Sequence, residues 1–229
     1  MISSLLMVFM LGSEPAVSPA RPTARGGTVT VSIADGPQDE CTVTPSHLES
    51  LDVATGRERT RTTTWSDVLG ELPSGELVVT NQRTAGAKML TVAVLARRDL
   101  RPRFSCESPV QVDPRSWYGW YSADSGAIGE GLKSGRARNV YVQLELSNDS
   151  CRLTVLDEAG PAGEAPAAMV GAKPMSGSVD NLRQGALTLH DSPSPKGPSD
   201  PVLFASKGPA VMWQRALARP GISGACHEL

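Results

Sequence analysis

Thr28-Val29-Thr30-Val31-Ser32-Ile33 alternates polar and apolar side chains without a break, the period of a strand with one buried face. Asp35-Gly36-Pro37 interrupts the pattern and Cys41-Thr42-Val43-Thr44 resumes it, as expected of a hairpin or a strand with a long turn. The same sequence of events returns further on. Val140 to Leu146 alternates, Asn148-Asp149 turns the chain, and alternation starts again at Cys151 and runs to Leu156.

Counted from Cys41 and from Cys151, the two stretches stay in step. Leu72 and Leu182 stand 31 positions on, Gly75 and Gly185 34, Leu77 and Leu187 36, Val79 and Leu189 38, and Val92 and Val202 51. A second cysteine closes each frame, Cys106 after 65 residues and Cys226 after 75. The frames predict a duplicated all-β chain of two tandem small antiparallel β-sandwiches. The expected units are residues 28–112 with a Cys41–Cys106 bridge and residues 139–229 with a Cys151–Cys226 bridge. An aromatic, Gly-rich linker (113–138) would join them, and a flexible lead-in (21–27) would precede them.

Between and beyond these strands the turn residues are dense: 18 prolines and 22 glycines leave no room for long helices. Arg57 to Arg61 suits a solvent-facing turn, Asp67 to Leu72 a short helical turn, and Leu77 to Thr80, Met89 to Ala96, Leu187 to His190 and Val202 to Ala205 further strands. Residues 159–177 and 192–198 read as Pro/Gly-rich loops. The cysteine interval resembles that of immunoglobulin-like domains. That family's core tryptophan is missing, since only the late Trp65 follows Cys41 within its frame and none follows Cys151 at a matching interval. The resemblance therefore implies an Ig-like class of architecture and not membership.

Aromatic residues form only 4% of the chain, so its cores must be filled by Val, Leu, Ala and Met. Small cores of this kind gain from cross-links, and a bridge closing a loop of this size restricts the unfolded chain by roughly 4 kcal/mol. Metal binding by the cysteines fails on spacing, because no two lie within four residues and no His sits at a zinc-finger interval. No metal and no cofactor are expected.

The apolar run Leu5 to Leu11, followed by small residues ending in Ala16-Val17-Ser18-Pro19-Ala20, is too short to span a bilayer and suits a signal peptide over residues 1–20. The expected location is secreted, or else periplasmic or cell-envelope, where thiols pair. No later segment is apolar enough to cross a membrane. A net charge of −2 argues against nucleic-acid or anionic-membrane partners.

Trp117-Tyr118-Gly119-Trp120-Tyr121 gathers four aromatic rings in five positions. Trp117, Tyr118, Trp120 and Tyr121 are the candidate ligand-binding residues, able to stack on a sugar or on a partner's apolar groups; the competing reading packs them between the two units. No G-x-S-x-G elbow or H-E-x-x-H helix is present. A hydrolase would have to draw on scattered residues near His190 or Asp124, or on His47 beside a serine and a carboxylate. Arg97, Arg98, Arg101 and Arg103 form the densest basic cluster, suited to an anion or to guarding a strand edge. Asp35, Asp39 and Glu40 match no established calcium loop, and Asn148-Asp149-Ser150 is a formal N-glycosylation sequon. The expected function is that of an exported, non-enzymatic binding or structural surface module with a protein or carbohydrate partner. The alternatives are a secreted hydrolase, or an inhibitor presenting loop 159–177 or 192–200.

Overall fold

Leu77-Val78-Val79-Thr80 and the run from Met89 to Leu95 have no continuous polar face to give to water, and the computed structural model buries them on both sides. Leu77, Val79, Ala93 and Leu95 face one core, while Val78, Leu90, Val92 and Val94 face another. Unbroken apolar runs are the mark of strands covered on both faces. The structure describes residues 18–19, 23–25, 27–36, 45–111, 119–123, 126–132, 139–158, 166–175, 182–184, 187–193 and 201–217. Among these the chain is all-β, with one short 3-10 turn (Ala167–Met169) and no α-helix.

Four antiparallel sheets account for the strands. The chain enters through β1 (Ser18–Pro19), which belongs to the second sheet, and then builds sheet I from β2 (Thr23–Arg25), β3 (Thr28–Ala34), β4 (Ser46–Asp52) and β5 (Glu58–Thr62) in that order. Sheet II runs β1, β6 (Asp67–Glu71), β7 (Leu77–Thr80), β8 (Met89–Leu95) and β9 (Pro102–Gln111). Next come β10 (Gly119–Ala123), β11 (Gly126–Leu132), β12 (Asn139–Leu146), β13 (Cys151–Glu158) and β14 (Lys173–Pro174), which form sheet III in the order β13-β12-β11-β10-β14. Sheet IV is β15 (Leu182–Gln184), β16 (Leu187–Pro193), β17 (Pro201–Lys207) and β18 (Ala210–Ala216).

The sheets share cores in the order IV, I, II, III. Val29, Val31, Ile33 and Leu51 of sheet I pack with Leu203 and Ala205 of sheet IV. Leu48, from the other face of β4, joins Leu77, Val79, Ala93 and Leu95 of sheet II. The largest cluster joins the opposite face of sheet II to Trp120, Val140, Val142, Leu144 and Leu153 of sheet III. Both mixed cores at the ends of this series therefore draw on residues from both expected units.

The hydroxyl face of β3 is buried rather than solvated, since Thr30 is almost inaccessible. Ser32 and Ser46 both donate to Ser66 O. Arg83 is ion-paired with Asp67 and donates to Ser32 Oγ. Thr30 Oγ1 and Ser50 Oγ, opposite one another across β3 and β4, have no hydrogen-bond partner among the described residues.

Several expectations are corrected. Cys106 is bonded to Cys151, with Cα atoms 5.6 Å apart, and so neither Cys41–Cys106 nor Cys151–Cys226 forms. Cys106 lies on β9, the edge of sheet II, and Cys151 begins β13, the edge of sheet III packed against it. Sequence frames register the repeat of a pattern but not which faces meet. Cys41 and Cys226 lie outside the described residues. The expected linker 113–138 holds β10 and β11, because Trp120, Ala127 and Ile128 have a core to enter. Within the expected turn 57–61 and helical turn 67–72, Glu58–Thr62 and Asp67–Glu71 are strands, each paired to a neighbouring strand. The lead-in 21–27 contains β2, and β1 falls inside the expected signal segment, paired with Gly70 and Glu71.

Candidate functional site

His47, Glu49 and Leu51 alternate along β4 and share a face, the one turned towards sheet IV. Leu51 enters the apolar core there, while His47 and Glu49 extend the same row into charge. Glu49 is 1% exposed and His47 4%. A carboxylate this deeply buried needs partners, and Glu49 has three. Arg61 of β5 reaches its Oε1 at 2.9 Å and Arg215 of β18 pairs with Oε2. His47 Nε2 lies 3.1 Å from Oε1.

The other ring nitrogen, Nδ1, lies 2.8 Å from Asp35 Oδ1, just past the end of β3. Glu58 closes the cluster, 2.6 Å from Arg61 and 3.9 Å from Arg215. Its carboxyl is held below the usual carboxylate range, first by the hydrogen bond from Arg61 and then by the charges of Arg61 and Arg215. Arg61 is in turn raised, chiefly by its bond to Glu58 and the charge of Glu49. Next to this cluster, Trp213 Nε1–H donates to Val53 O at 2.8 Å and its ring covers Gly56. A side chain at Gly56 would press into the indole, and its backbone is left-handed (φ +66°).

Chemically, the arrangement is a closed ion network. A neutral imidazole can act as a base only through a free lone pair. Here each ring nitrogen of His47 already has a carboxylate oxygen within hydrogen-bond distance. Neither of those two contacts is a serine hydroxyl, so His47 does not sit in the Ser-His-Asp geometry that a hydrolase requires. Among the described residues, no group of three His, Cys, Asp or Glu side chains is placed to hold a metal ion.

The aromatic candidates separate by alternation. Trp117 and Tyr118 lie outside the described residues. Trp120 is buried in the core between sheets II and III, stacked over Gly129, where a Cβ would stand 3.2 Å from the ring. Its Nε1–H donates to Gln82 Oε1 at 3.0 Å. Its faces are therefore taken by the protein. Tyr121 points to the other face of sheet III, half-buried beside Glu130 and Tyr141. Tyr141 donates to Glu130 Oε1 at 3.3 Å. Burial first, and then the charge of Glu130, push the Tyr121 hydroxyl up from its ordinary range.

The remaining candidates are dispersed. His190 stands on β16 opposite Phe204; Asp124, Ser125, Asp39, Glu40 and His227 lie outside the described residues. Asp35 is drawn into the His47 network. The arginine cluster is spent locally: Arg97 on Glu71 at 2.8 Å and Gly75 O, Arg103 on Glu76 at 2.6 Å, and Arg101 near Asp99 at 3.6 Å. The sequon occupies the exposed turn from β12 to β13, where Ser147 N–H donates to Ser150 O. Glu49, Arg61 and Arg215 were not singled out by sequence. The available signal was the row His47, Glu49, Leu51 at period two, obscured because Arg57–Arg61 reads as a turn.

No protein-family model matches this chain, and no curated protein matches it. Among the described residues, no helix is long and apolar enough to cross a membrane.

Proposed function

We propose that this is an exported, non-enzymatic protein that serves as a binding or structural module of a cell surface, with a protein or carbohydrate partner. The Cys106–Cys151 bridge carries the reading, because structural disulfides persist in oxidising compartments and are rare in the reducing cytosol. The apolar leader at residues 1–20 is consistent with it. The saturated imidazole of His47 weighs against a hydrolase.

Duplication is part of the same proposal. Strands β6-β7-β8-β9 and β15-β16-β17-β18 are both consecutive antiparallel meanders. Leu77 and Val79 of β7 correspond in the sequence frame to Leu187 and Leu189 of β16, and Val92 of β8 to Val202 of β17. Cleavage after Ala20 would remove β1 and leave sheet II with those four strands. The partner surface is then sought where rings or apolar groups remain accessible. Tyr121 beside Glu130 is one such place, and Val211 and Met212 on β18, 59% and 52% exposed, are another.

Expression of the full chain with a C-terminal tag tests the proposal. The expected product lies outside the cytoplasm, lacks the leader, and shows no alkylatable thiol until reduced. A cytoplasmic product with Cys106 and Cys151 free would overturn it.

A further inference from the structure

We propose that His47 is the proton-operated part of a latch that holds strand β18 onto sheet I, closed while the imidazole is doubly protonated and loosened when it is neutral. Among the described residues, the charged groups of its cluster come from β4, β5, β18 and the chain just past β3. They are Asp35 after β3, Glu49 on β4, Glu58 and Arg61 on β5, and Arg215 on β18. Three of these are carboxylates and two are guanidiniums. Among the described residues, an imidazolium brings the cluster to charge balance, whereas a neutral ring leaves one negative charge in excess around a carboxylate that is 1% exposed.

Hydrogen bonding makes the same demand. With carboxylate oxygens at 2.8 Å and 3.1 Å from its two nitrogens, only the doubly protonated ring donates to both. A neutral ring turns a lone pair towards one of the carboxylates, so that contact becomes repulsive. The consequence reaches β18 through Glu49, whose Oε2 is the group that Arg215 grips. When Glu49 loses its histidine donor or shifts away from it, the ion pair that spans 166 residues of chain is disturbed. Ala34 N–H, one residue before Asp35, donates to Leu217 O at 2.9 Å, so the far end of β18 is tied to the same corner.

The sign follows from linkage. A group that gains partners in its protonated form contributes stability at low pH and loses it as pH rises through its folded-state titration.

The test compares wild type with His47→Gln, which keeps an amide donor but no titratable proton, by thermal unfolding at about pH 5.5 and about pH 8.5. The expected Tm deficit of the variant is about 3–6 °C in acid and less than half of that in alkali. Amide exchange of β18, corrected for the intrinsic effect of pH and referenced to β7, should quicken with pH in wild type and not in the variant. Equal Tm deficits at both pH values, or a β18 protection that ignores pH in wild type, would overturn the proposal. If His47→Gln does not fold, Asp35→Asn at the half-exposed rim serves instead. It removes the negative charge facing Nδ1 while keeping a carbonyl acceptor, and should flatten the wild-type pH dependence; an unchanged dependence would overturn the proposal equally.

Discussion

The junction of sheets II and III and the junction of sheets I and IV join strands of similar kind, yet they are held in different ways. Between II and III the contact is mainly apolar, with Trp120 in the shared cluster and hydrogen-bonded to Gln82, and a covalent bond joins the edge strands. Between I and IV the apolar cluster is smaller, and the same row of β4 side chains passes from Leu51 into the buried charges of Glu49 and His47. Apolar burial is strong but indifferent to small shifts of register, while a buried carboxylate with three matched donors tolerates only one arrangement. The difference teaches that sheet IV, arriving far along the chain from sheet I, is positioned by charge where sheet III is positioned by packing and a bond. That division of labour is a hypothesis, and the following substitutions can break or sharpen it.

The largest effect is expected from Trp120→Ala. Truncating a buried tryptophan costs about 3–5 kcal/mol, and here Gln82 also loses its donor. Urea unfolding should show the loss directly. A variant of unchanged stability that had lost binding would instead restore the ring to a ligand role. Cys106→Ser with Cys151→Ser comes next, at about 4 kcal/mol for the 45-residue separation in the loop-entropy model. Non-reducing peptide mapping of the wild type should recover the Cys106–Cys151 peptide pair.

Arg215→Met is predicted to cost less, about 1–2 kcal/mol, because the guanidinium is partly exposed although its partner is not. Loss of protection confined to β18 in hydrogen exchange would place the effect at the I/IV junction. A uniform loss would mean that the two junctions are not separable. Thr30→Val should go the other way and stabilise by about 1 kcal/mol, since it removes a buried hydroxyl that lacks a partner among the described residues. A loss of stability in denaturant titration would show that the hydroxyl is satisfied.

Glu58→Gln gives the smallest change, about 0.5 kcal/mol for a partly exposed ion pair. Its carboxyl titrates below the ordinary value, so its contribution is present above about pH 4 and disappears as pH falls through the lowered value. The gap between wild type and variant should therefore close in acid; a gap that widened there would reverse the assigned sign.

Among the described residues, strand content was legible where a run obeyed one period. The alternation of 28–33 and 140–146 and the apolar runs at 77–80 and 89–95 all became strands. Asp67–Leu72 misled because a short polar-apolar segment fits a helical turn as well as a strand, and pairing with β7 decided between them. Trp120 and Tyr121 show the same limit at a site. Their clustering was visible, but alternation sends one ring into a core and the other to the opposite face, and only the partner sheets say which face is dry.

By itself the sequence determined that the chain is built of antiparallel strands, because periodicity and turn residues are local properties that survive in one dimension. The tertiary structure alone decided which sheet covers which, and with it that Cys106 meets Cys151 and that Glu49 meets Arg215. Those choices depend on surfaces that exist only once the sheets have formed, and on distances between residues that the linear spacing does not encode.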